Sequence, residues 1–151
     1  MLICSENMIP LFKVGMSDSA AIRVNETLSS GYIGQGPRVD DFEAALRVAT
    51  GIERLLTVNS GTSGLHLALH LLKKPGVGEG FRGAWPGLRP GDEVLTTPLT
   101  CTATNWPILG NNLKLKWVDV SPSDLNICLD DLAAKITPRT KVVMVVHWGG
   151  Y

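Results

Sequence analysis

Apolar residues along the chain follow two patterns that alternate: short continuous runs, and longer segments in which they recur every three or four positions. The last run contains five consecutive apolar residues, Val142–Val146, which is typical of a strand covered on both faces. The continuous runs predict β-strands at Leu55–Val58, Val94–Thr97, Leu113–Val120 and Val142–His147.

The periodic segments between these runs predict α-helices. One apolar stripe extends from Phe42 to Ala49, and Gly51 follows it in the position of a helix C-cap. A second stripe covers Leu65–Leu72, and weaker helical patterns cover residues 103–109 and 129–136. Because strands and helices alternate, the sequence predicts an α/β fold, with a mostly parallel sheet between two layers of helices.

The turn before the second helical stripe carries the strongest chemical signal. Residues 59–64 read Asn-Ser-Gly-Thr-Ser-Gly and open the predicted helix, whose first N–H groups lack partners and lie at the positive end of the helix dipole. Gly61 allows a ligand close to the backbone, and Thr62 and Ser63 add hydroxyl donors. These features fit a phosphate group, and without a following lysine they do not indicate a nucleoside-triphosphate loop. An ordinary turn with a Ser or Thr cap fits the same residues equally well.

Composition and charge exclude several classes of protein. The 151 residues are 44% hydrophobic and 19% charged, with a formal net charge of +0, so a nucleic-acid partner is not expected. No apolar run approaches the roughly 20 residues of a membrane span, and the N-terminus lacks a signal-peptide pattern. The three cysteines Cys4, Cys101 and Cys128 form neither a disulfide framework nor a zinc pattern. We therefore expect a cytoplasmic protein without a metal site.

Glycine and proline are concentrated in residues 75–91, which predicts a surface loop inserted between a helix and the next strand. This loop is too short to separate two domains, so residues 1–151 are interpreted as a single, partial domain. In open α/β sheets, ligands bind beyond the carboxyl ends of the strands. The four predicted strand ends would therefore build part of a ligand crevice.

Seven stretches of the chain, in the same order, resemble motifs of the DegT/DnrJ/EryC1/StrS family, the pyridoxal-phosphate-dependent (PLP-dependent) sugar aminotransferases of aspartate aminotransferase fold (fold type I). The resemblance implies that the chain is the N-terminal part of the large PLP-binding domain. The matching stretches are Met8–Leu11, Gly31–Pro37, Asn59–Ser63, Gly91–Val94, Val118–Val120, Ile136–Lys141 and Val146–His147.

The resemblance implies a cofactor site. It implies that Ser60, Gly61 and Thr62 bind the cofactor, with the phosphate of PLP at Gly61 and Thr62. It places the pyridine ring against the segment that contains the further cofactor-binding residues Cys101 and Asn105. Cys101 stands where the family usually has an aromatic residue that stacks on the ring. The cysteine could supply a soft, polarizable contact instead. A catalytic thiol is the alternative, although no base accompanies it in the sequence.

The resemblance also implies a substrate entrance at Gly31–Pro37, with Tyr32 and Gln35 as candidate wall residues; a plain turn is the alternative. The histidines are interpreted as structural. His147 ends a predicted strand, where a hydrogen-bonding role is more common than ligand binding. His66 and His70 have a spacing that can bind metal, but no third ligand accompanies them, so they are interpreted as helix-surface residues.

By the same resemblance, the intact protein would be a homodimer that transfers an amino group from glutamate to a keto group on a nucleotide-linked sugar. The family's pyridine-nitrogen aspartate and Schiff-base lysine lie beyond this region, and the lysines present are interpreted as solvated. We therefore expect no catalytic residue in this chain and no transamination by it alone. The alternative is a non-catalytic remnant that binds a phosphorylated ligand or a full-length homologue. A dehydrogenase-type nucleotide domain ranks last, because no Gly-x-Gly-x-x-Gly turn follows the first predicted strand.

Overall fold

A computed structural model describes residues 13–76 and 83–150 of the chain. Its internal contacts define two compact units, Met1–Thr57 and Val58–Tyr151. The Met8–Leu11 motif and part of the 75–91 loop lie outside the described residues. The interpretation of the chain as one partial domain stays a prediction.

The described residues of the first unit form two helices, α1 (Ala20–Ser30) and α2 (Pro37–Thr50). Helix α2 confirms the stripe that begins at Phe42. It ends at Gly51, whose φ of 72° places it in the left-handed region that suits a glycine C-cap. Helix α1 was not predicted, although Val24 and Leu28 have helical spacing; none of its residues is buried.

The predicted strand at Leu55–Val58 is wrong for the described part of the chain, where this segment pairs with no other strand. Side chains of α2 supply hydrogen bonds in place of a neighbouring strand. Arg47 donates to the carbonyl oxygen of Leu55 over 2.9 Å, and Thr57 donates its N–H to Glu43 over 2.7 Å. An apolar run indicates an extended segment, but a strand also needs a partner strand.

Within the part of the second unit that the structure describes, three strands form a parallel sheet in the order β2-β1-β3. Three of the four predicted strands and the helices predicted at 65–72, 103–109 and 129–136 are confirmed, with shifted bounds. The elements are α3 (Gly61–Leu71), β1 (Glu93–Thr96), α4 (Thr102–Gly110), β2 (Lys114–Trp117), α5 (Leu129–Lys135) and β3 (Thr140–Met144).

Apolar side chains pack on both faces of β1, whose four residues are all buried. Val94 and Leu95 are consecutive and therefore point to opposite faces of the sheet. On the Val94 face lie Leu69 of α3 and Ile108 of α4; on the Leu95 face lie Val118, Ile127 and, from α5, Leu132. Helices thus cover both faces, which confirms the three-layer α/β architecture.

Strand β3 differs from its prediction. Val143 and Val145 remain 39% and 47% exposed, so the run 142–146 is not covered on both faces within the described residues.

One lysine differs from the prediction that the lysines are solvated. Lys116 of β2 makes contacts within the second unit. Its Nζ donates to the carbonyl oxygen of Lys135 over 2.7 Å and lies 3.6 Å from Glu93.

Part of the predicted 75–91 surface loop lies in the core. Leu88 is 4% exposed and belongs to the apolar cluster on the Val94 face. Gly76 and Trp85 pair through their backbones, and the Trp85 indole donates to the carbonyl oxygen of Leu72 over 2.7 Å. The loop insertion as a whole stays a prediction.

Among the described residues, no helix combines the length and apolar content needed to cross a membrane.

Candidate functional site

Helix α3 begins in a network of short polar side chains. Ser60 has extended backbone angles, and its hydroxyl oxygen accepts the N–H of Ser63 over 3.1 Å. The hydroxyl of Ser63 in turn donates to Asn59 Oδ1 over 2.7 Å. Ser60 therefore caps the helix, and the ordinary-cap interpretation of this turn applies to that residue.

The next two residues leave donors available at the same helix end. In the part of the chain that the structure describes, neither the N–H of Gly61 nor the N–H or hydroxyl of Thr62 donates a hydrogen bond. Gly61 is exposed, and a Cβ placed on it would meet nothing within 4 Å. Two unpaired N–H groups, a hydroxyl and open space at a helix N-terminus fit a phosphate group.

The residues predicted to face the cofactor ring lie at the start of α4, after β1. Cys101 is the exposed N-cap of that helix, and its side chain makes no cap hydrogen bond. Asn105, one turn further, is 8% exposed, and its Oδ1 is buried without a hydrogen-bond partner among the described residues. Buried amide oxygens are nearly always hydrogen-bonded. An oxygen without a partner is thus consistent with a ligand donor at this position.

The carboxyl ends of the three parallel strands lie at one edge of the sheet, as the sequence predicts for a ligand crevice. Beyond β2 and β3 the chain segments are joined to each other. Trp148, after β3, donates its N–H to Oδ1 of Asn126, after β2, over 3.1 Å. Asp119, after β2, donates its N–H to Oδ2 of Asp131 in α5 over 2.7 Å. The hydrogen bond from the Asp119 N–H is the main cause that lowers the pKa of Asp131, and the hydrogen bond from Lys135 adds to this effect.

Tyr32 and Gln35, the predicted substrate residues, lie between α1 and α2 in the first unit. Tyr32 lines a hollow of about 330 Å³ together with residues that include Ser30, Arg38 and Asp41. Gln35 is exposed and is not among the residues that line this hollow. Nothing tests the role of either residue, so both assignments stay predictions.

The histidines lie in different environments. His70 is exposed, as expected for the surface of α3, but His66 is half-buried. Its carbonyl oxygen accepts the side chain of Asn111, and a Cβ on Gly110 would lie 3.1 Å from its ring. These contacts join α3 to α4. In residues 13–76 and 83–150, no three potential metal ligands of the His, Cys, Asp and Glu types lie together.

The sequence interpretation missed one buried group of the first unit, the carboxylate of Glu43. Hydrogen bonds from the backbone and then the hydroxyl of Thr57 lower the pKa of Glu43, and the charge of Arg47 adds to this effect. The spacing of Glu43 and Arg47, four residues apart on a helix, was the available signal. That spacing is common on solvated helix faces, so the sequence alone does not indicate burial.

The second unit is an α/β domain with a parallel sheet that helices cover. Its strand ends and the donor-rich start of α3 are available to a ligand, and they fit a phosphorylated cofactor. A model of the DegT/DnrJ/EryC1/StrS aminotransferase family matches residues 16–151. The chain belongs to this family.

Solved structures agree with the family assignment. The sugar aminotransferase CalS13 from Micromonospora echinospora is 53% identical, with a TM-score of 0.75; the match covers 95% of this chain and 36% of CalS13. Spr1654 from Streptococcus pneumoniae, described as a proposed sugar aminotransferase, has been solved in a PLP form. It is 28% identical, with a TM-score of 0.71, over 89% of this chain and 31% of its own.

A curated relative gives a further comparison. The dTDP-4-dehydro-2,3,6-trideoxy-D-glucose 4-aminotransferase from Saccharopolyspora spinosa is 34% identical over 129 residues, which are 84% of this chain and 30% of the enzyme. The chain thus spans about a third of the length of the relatives it matches.

Proposed function

We propose that the complete protein is an aminotransferase that moves an amino group from glutamate to a keto group on a nucleotide-linked sugar. Pyridoxal 5′-phosphate is its cofactor, as in the PLP form of Spr1654. The sugar aminotransferases CalS13 and the Saccharopolyspora spinosa enzyme support the substrate class. The observation in this chain that carries the proposal is the pair of unpaired N–H groups at Gly61 and Thr62.

In this proposal the described residues bind and orient the cofactor. Gly61 and Thr62 donate their N–H groups to the phosphate, and the Thr62 hydroxyl adds a third donor. Ser60 caps α3 and so keeps the donors at a fixed helix end. When bound, PLP supplies a conjugated ring that accepts electrons during the reaction.

The remaining assignments rest on the resemblance to the family. Cys101 contacts one face of the cofactor ring, Asn105 accepts a hydrogen bond beside it, and Tyr32 and Gln35 line the sugar-nucleotide entrance. We further propose that the protein is a cytoplasmic homodimer. The neighbouring helices α3 and α4 both carry exposed apolar side chains, among them Leu71 and Trp106, and this supports a partner surface.

Replacement of Thr62 tests the phosphate assignment. Thr62→Val keeps the shape of the side chain but removes the hydroxyl, so PLP should bind roughly tenfold or more weakly, since a hydrogen bond to a charged group contributes about 1.5–3 kcal/mol. The measurement is the PLP dissociation constant of the complete apoprotein. Thr62→Ser is the matched control, because it keeps the hydroxyl and should bind PLP nearly as tightly as the wild type. Equal affinity in all three proteins would contradict the assignment.

A further inference from the structure

Helices α3 and α4 of the second unit pack against each other. At the end of α3, the carbonyl oxygen of Leu72 accepts the N–H of Leu88 over 2.9 Å. Just after α4, the carbonyl oxygen of Asn112 accepts the N–H of Gly91 over 2.9 Å. Leu88 and Gly91 are close in the chain, so the C-terminal ends of the two helices lie at the same end of the pair. The helices are therefore parallel, and their N-terminal ends also lie together.

A contact between the two helices shows how far each N-terminus extends. The carbonyl oxygen of His66 in α3 accepts the side chain of Asn111 over 3.1 Å, and a Cβ on Gly110 would lie 3.1 Å from the His66 ring. Gly61 and Asn105 each stand five residues earlier, Gly61 before His66 and Asn105 before Gly110. Because each helical residue advances by about 1.5 Å, Gly61 and Asn105 lie at nearly the same level of the helix pair.

Cys101 lies beyond this level, at the N-terminal end of the helix pair. It is the exposed N-cap of α4, and its side chain makes no cap hydrogen bond. It stands four residues before Asn105, so it lies on the same side of α4 and roughly 6 Å further along the axis. Because packed helix axes are about 8–10 Å apart, Cys101 is on the order of 10 Å from Gly61.

Two separate features indicate a ligand between these helix starts. On α3, the N–H groups of Gly61 and Thr62 donate no hydrogen bond within the described residues. On α4, Asn105 is 8% exposed, and its Oδ1 has no hydrogen-bond partner in the same part of the chain. A phosphate ester that is held at the start of α3, and whose ring extends toward α4, would reach Asn105 and cover Cys101.

We propose that Cys101 is a thiol-modification site that controls cofactor binding. Bound cofactor covers the thiol, and a mixed disulfide at Cys101 occupies the place of the cofactor ring and keeps the cofactor out. The inference rests on the proposed function, which places the phosphate at Gly61 and Thr62. Because the two compete for one place, each lowers the binding of the other by the same factor.

The modification is a thiol–disulfide exchange. The Cys101 thiolate attacks one sulfur of a low-molecular-mass disulfide such as oxidised glutathione, and a new S–S bond joins the two. The other half of the reagent leaves as a thiolate and takes up the proton that Cys101 released. The Cys101 sulfur is oxidised and the leaving sulfur is reduced, so the disulfide is the oxidant and no further reactant is needed.

The first test measures how fast iodoacetamide alkylates Cys101 in the complete protein, with each modified peptide identified by mass spectrometry. The ligand is pyridoxamine 5′-phosphate (PMP), which lacks the aldehyde of PLP and does not itself react with thiols. At about ten times its dissociation constant, PMP should slow the alkylation of Cys101 roughly tenfold, because only the free protein reacts. Inorganic phosphate at the same multiple of its own dissociation constant should protect much less, because it has no ring to cover the thiol.

Cys128 is the matched control. It is the N-cap of α5 and likewise makes no side-chain cap hydrogen bond, but α5 packs on the Leu95 face of the sheet, opposite α3 and α4. Its alkylation rate should not depend on PMP. Equal alkylation rates of Cys101 with and without PMP would overturn the inference. Equal protection of the two cysteines, or equal protection of Cys101 by phosphate and PMP, would also overturn it.

The second test measures the effect of the mixed disulfide. Treatment of the complete apoprotein with oxidised glutathione should raise the PLP dissociation constant at least about tenfold, and dithiothreitol should restore it. In Cys101→Ala the same treatment should leave the dissociation constant of that variant unchanged. An equal loss of affinity in Cys101→Ala would assign the effect to another cysteine and overturn the inference.

Thr62→Val distinguishes this inference from the proposed function. If Thr62→Val weakens PLP binding but PMP does not protect Cys101, the phosphate assignment stands and the inference fails. If Thr62→Val leaves the PLP affinity unchanged, the phosphate assignment fails. The inference then fails with it, because its geometry starts from that turn.

Discussion

Gly87 shows how strongly a single residue can be constrained within a segment rich in glycine and proline. Its φ is 80°, and a Cβ on it would collide with the backbone carbonyl oxygen of Lys73. The next residue, Leu88, donates its N–H to the carbonyl oxygen of Leu72 over 2.9 Å and enters the apolar cluster. Close contact of two backbones at Gly87 thus allows Leu88 to reach the core.

Gly87→Ala should therefore destabilise the protein by more than the usual cost of a left-handed alanine, which is about 1–2 kcal/mol. Gly83→Ala is the control, because Gly83 has a φ of 110° but open space where a Cβ would lie. Urea unfolding should show a clearly lower midpoint for Gly87→Ala than for Gly83→Ala. Equal midpoints would mean that the two backbones move apart easily.

At the scale of elements, β1 is held by charge at one end as well as by its apolar faces. The Glu93 carboxylate accepts the hydroxyl of Thr137 over 2.8 Å and lies 3.7 Å from Lys114 and 3.6 Å from Lys116. The Thr137 hydrogen bond is the main reason that the pKa of Glu93 is lowered, and the lysine charges add to it. Glu93 thereby links β1 to β2 and to the residues just before β3.

This lowered pKa predicts a dependence of stability on pH. The folded state binds the Glu93 proton more weakly than the unfolded state, so the stabilisation is complete above the unfolded pKa of about 4.3 and is lost as the pH falls through the folded value. Glu93→Gln should therefore lose less stability than the wild type between about pH 6 and about pH 3.5. Urea unfolding at both pH values measures this difference, and parallel losses in both proteins would contradict the role given to Glu93.

The sequence predicted the elements whose pattern is set by local periodicity. The helix after the Asn59–Ser63 turn and the glycine end of α2 are both confirmed, because caps and apolar stripes are local features. The sequence could not predict whether a partner strand would meet Leu55–Val58, or which face of β3 would be covered, since both depend on distant contacts. Glu43 was missed for the same reason, as its burial is decided by Thr57, fourteen residues away.

At the scale of the whole molecule, the two units differ in what holds them together. Both apolar clusters belong to Val58–Tyr151, on the two faces of β1. Among the described residues of Met1–Thr57, Glu43 is buried, but no apolar side chain is buried. A domain is stabilised mainly by buried apolar surface, so the two units should differ in their ability to fold alone.

We expect a peptide of residues 58–151 to fold in isolation and a peptide of residues 1–57 to remain largely unfolded. Far-ultraviolet circular dichroism and the dispersion of amide signals in nuclear magnetic resonance spectra measure this difference. Cooperative thermal unfolding of the 1–57 peptide would contradict the expectation, and so would an unfolded 58–151 peptide.

The sheet order β2-β1-β3 has a consequence for the nascent chain. The central strand is made first, and its neighbours on both sides leave the ribosome later, β3 ending 48 residues after Thr96. At roughly 5–20 residues per second, β1 waits for several seconds with one or both edges unpaired. During that time Val94 and Leu95, which end fully buried, are exposed to other chains. The interval between the synthesis of β1 and that of β3 is therefore when this chain most needs protection by a chaperone.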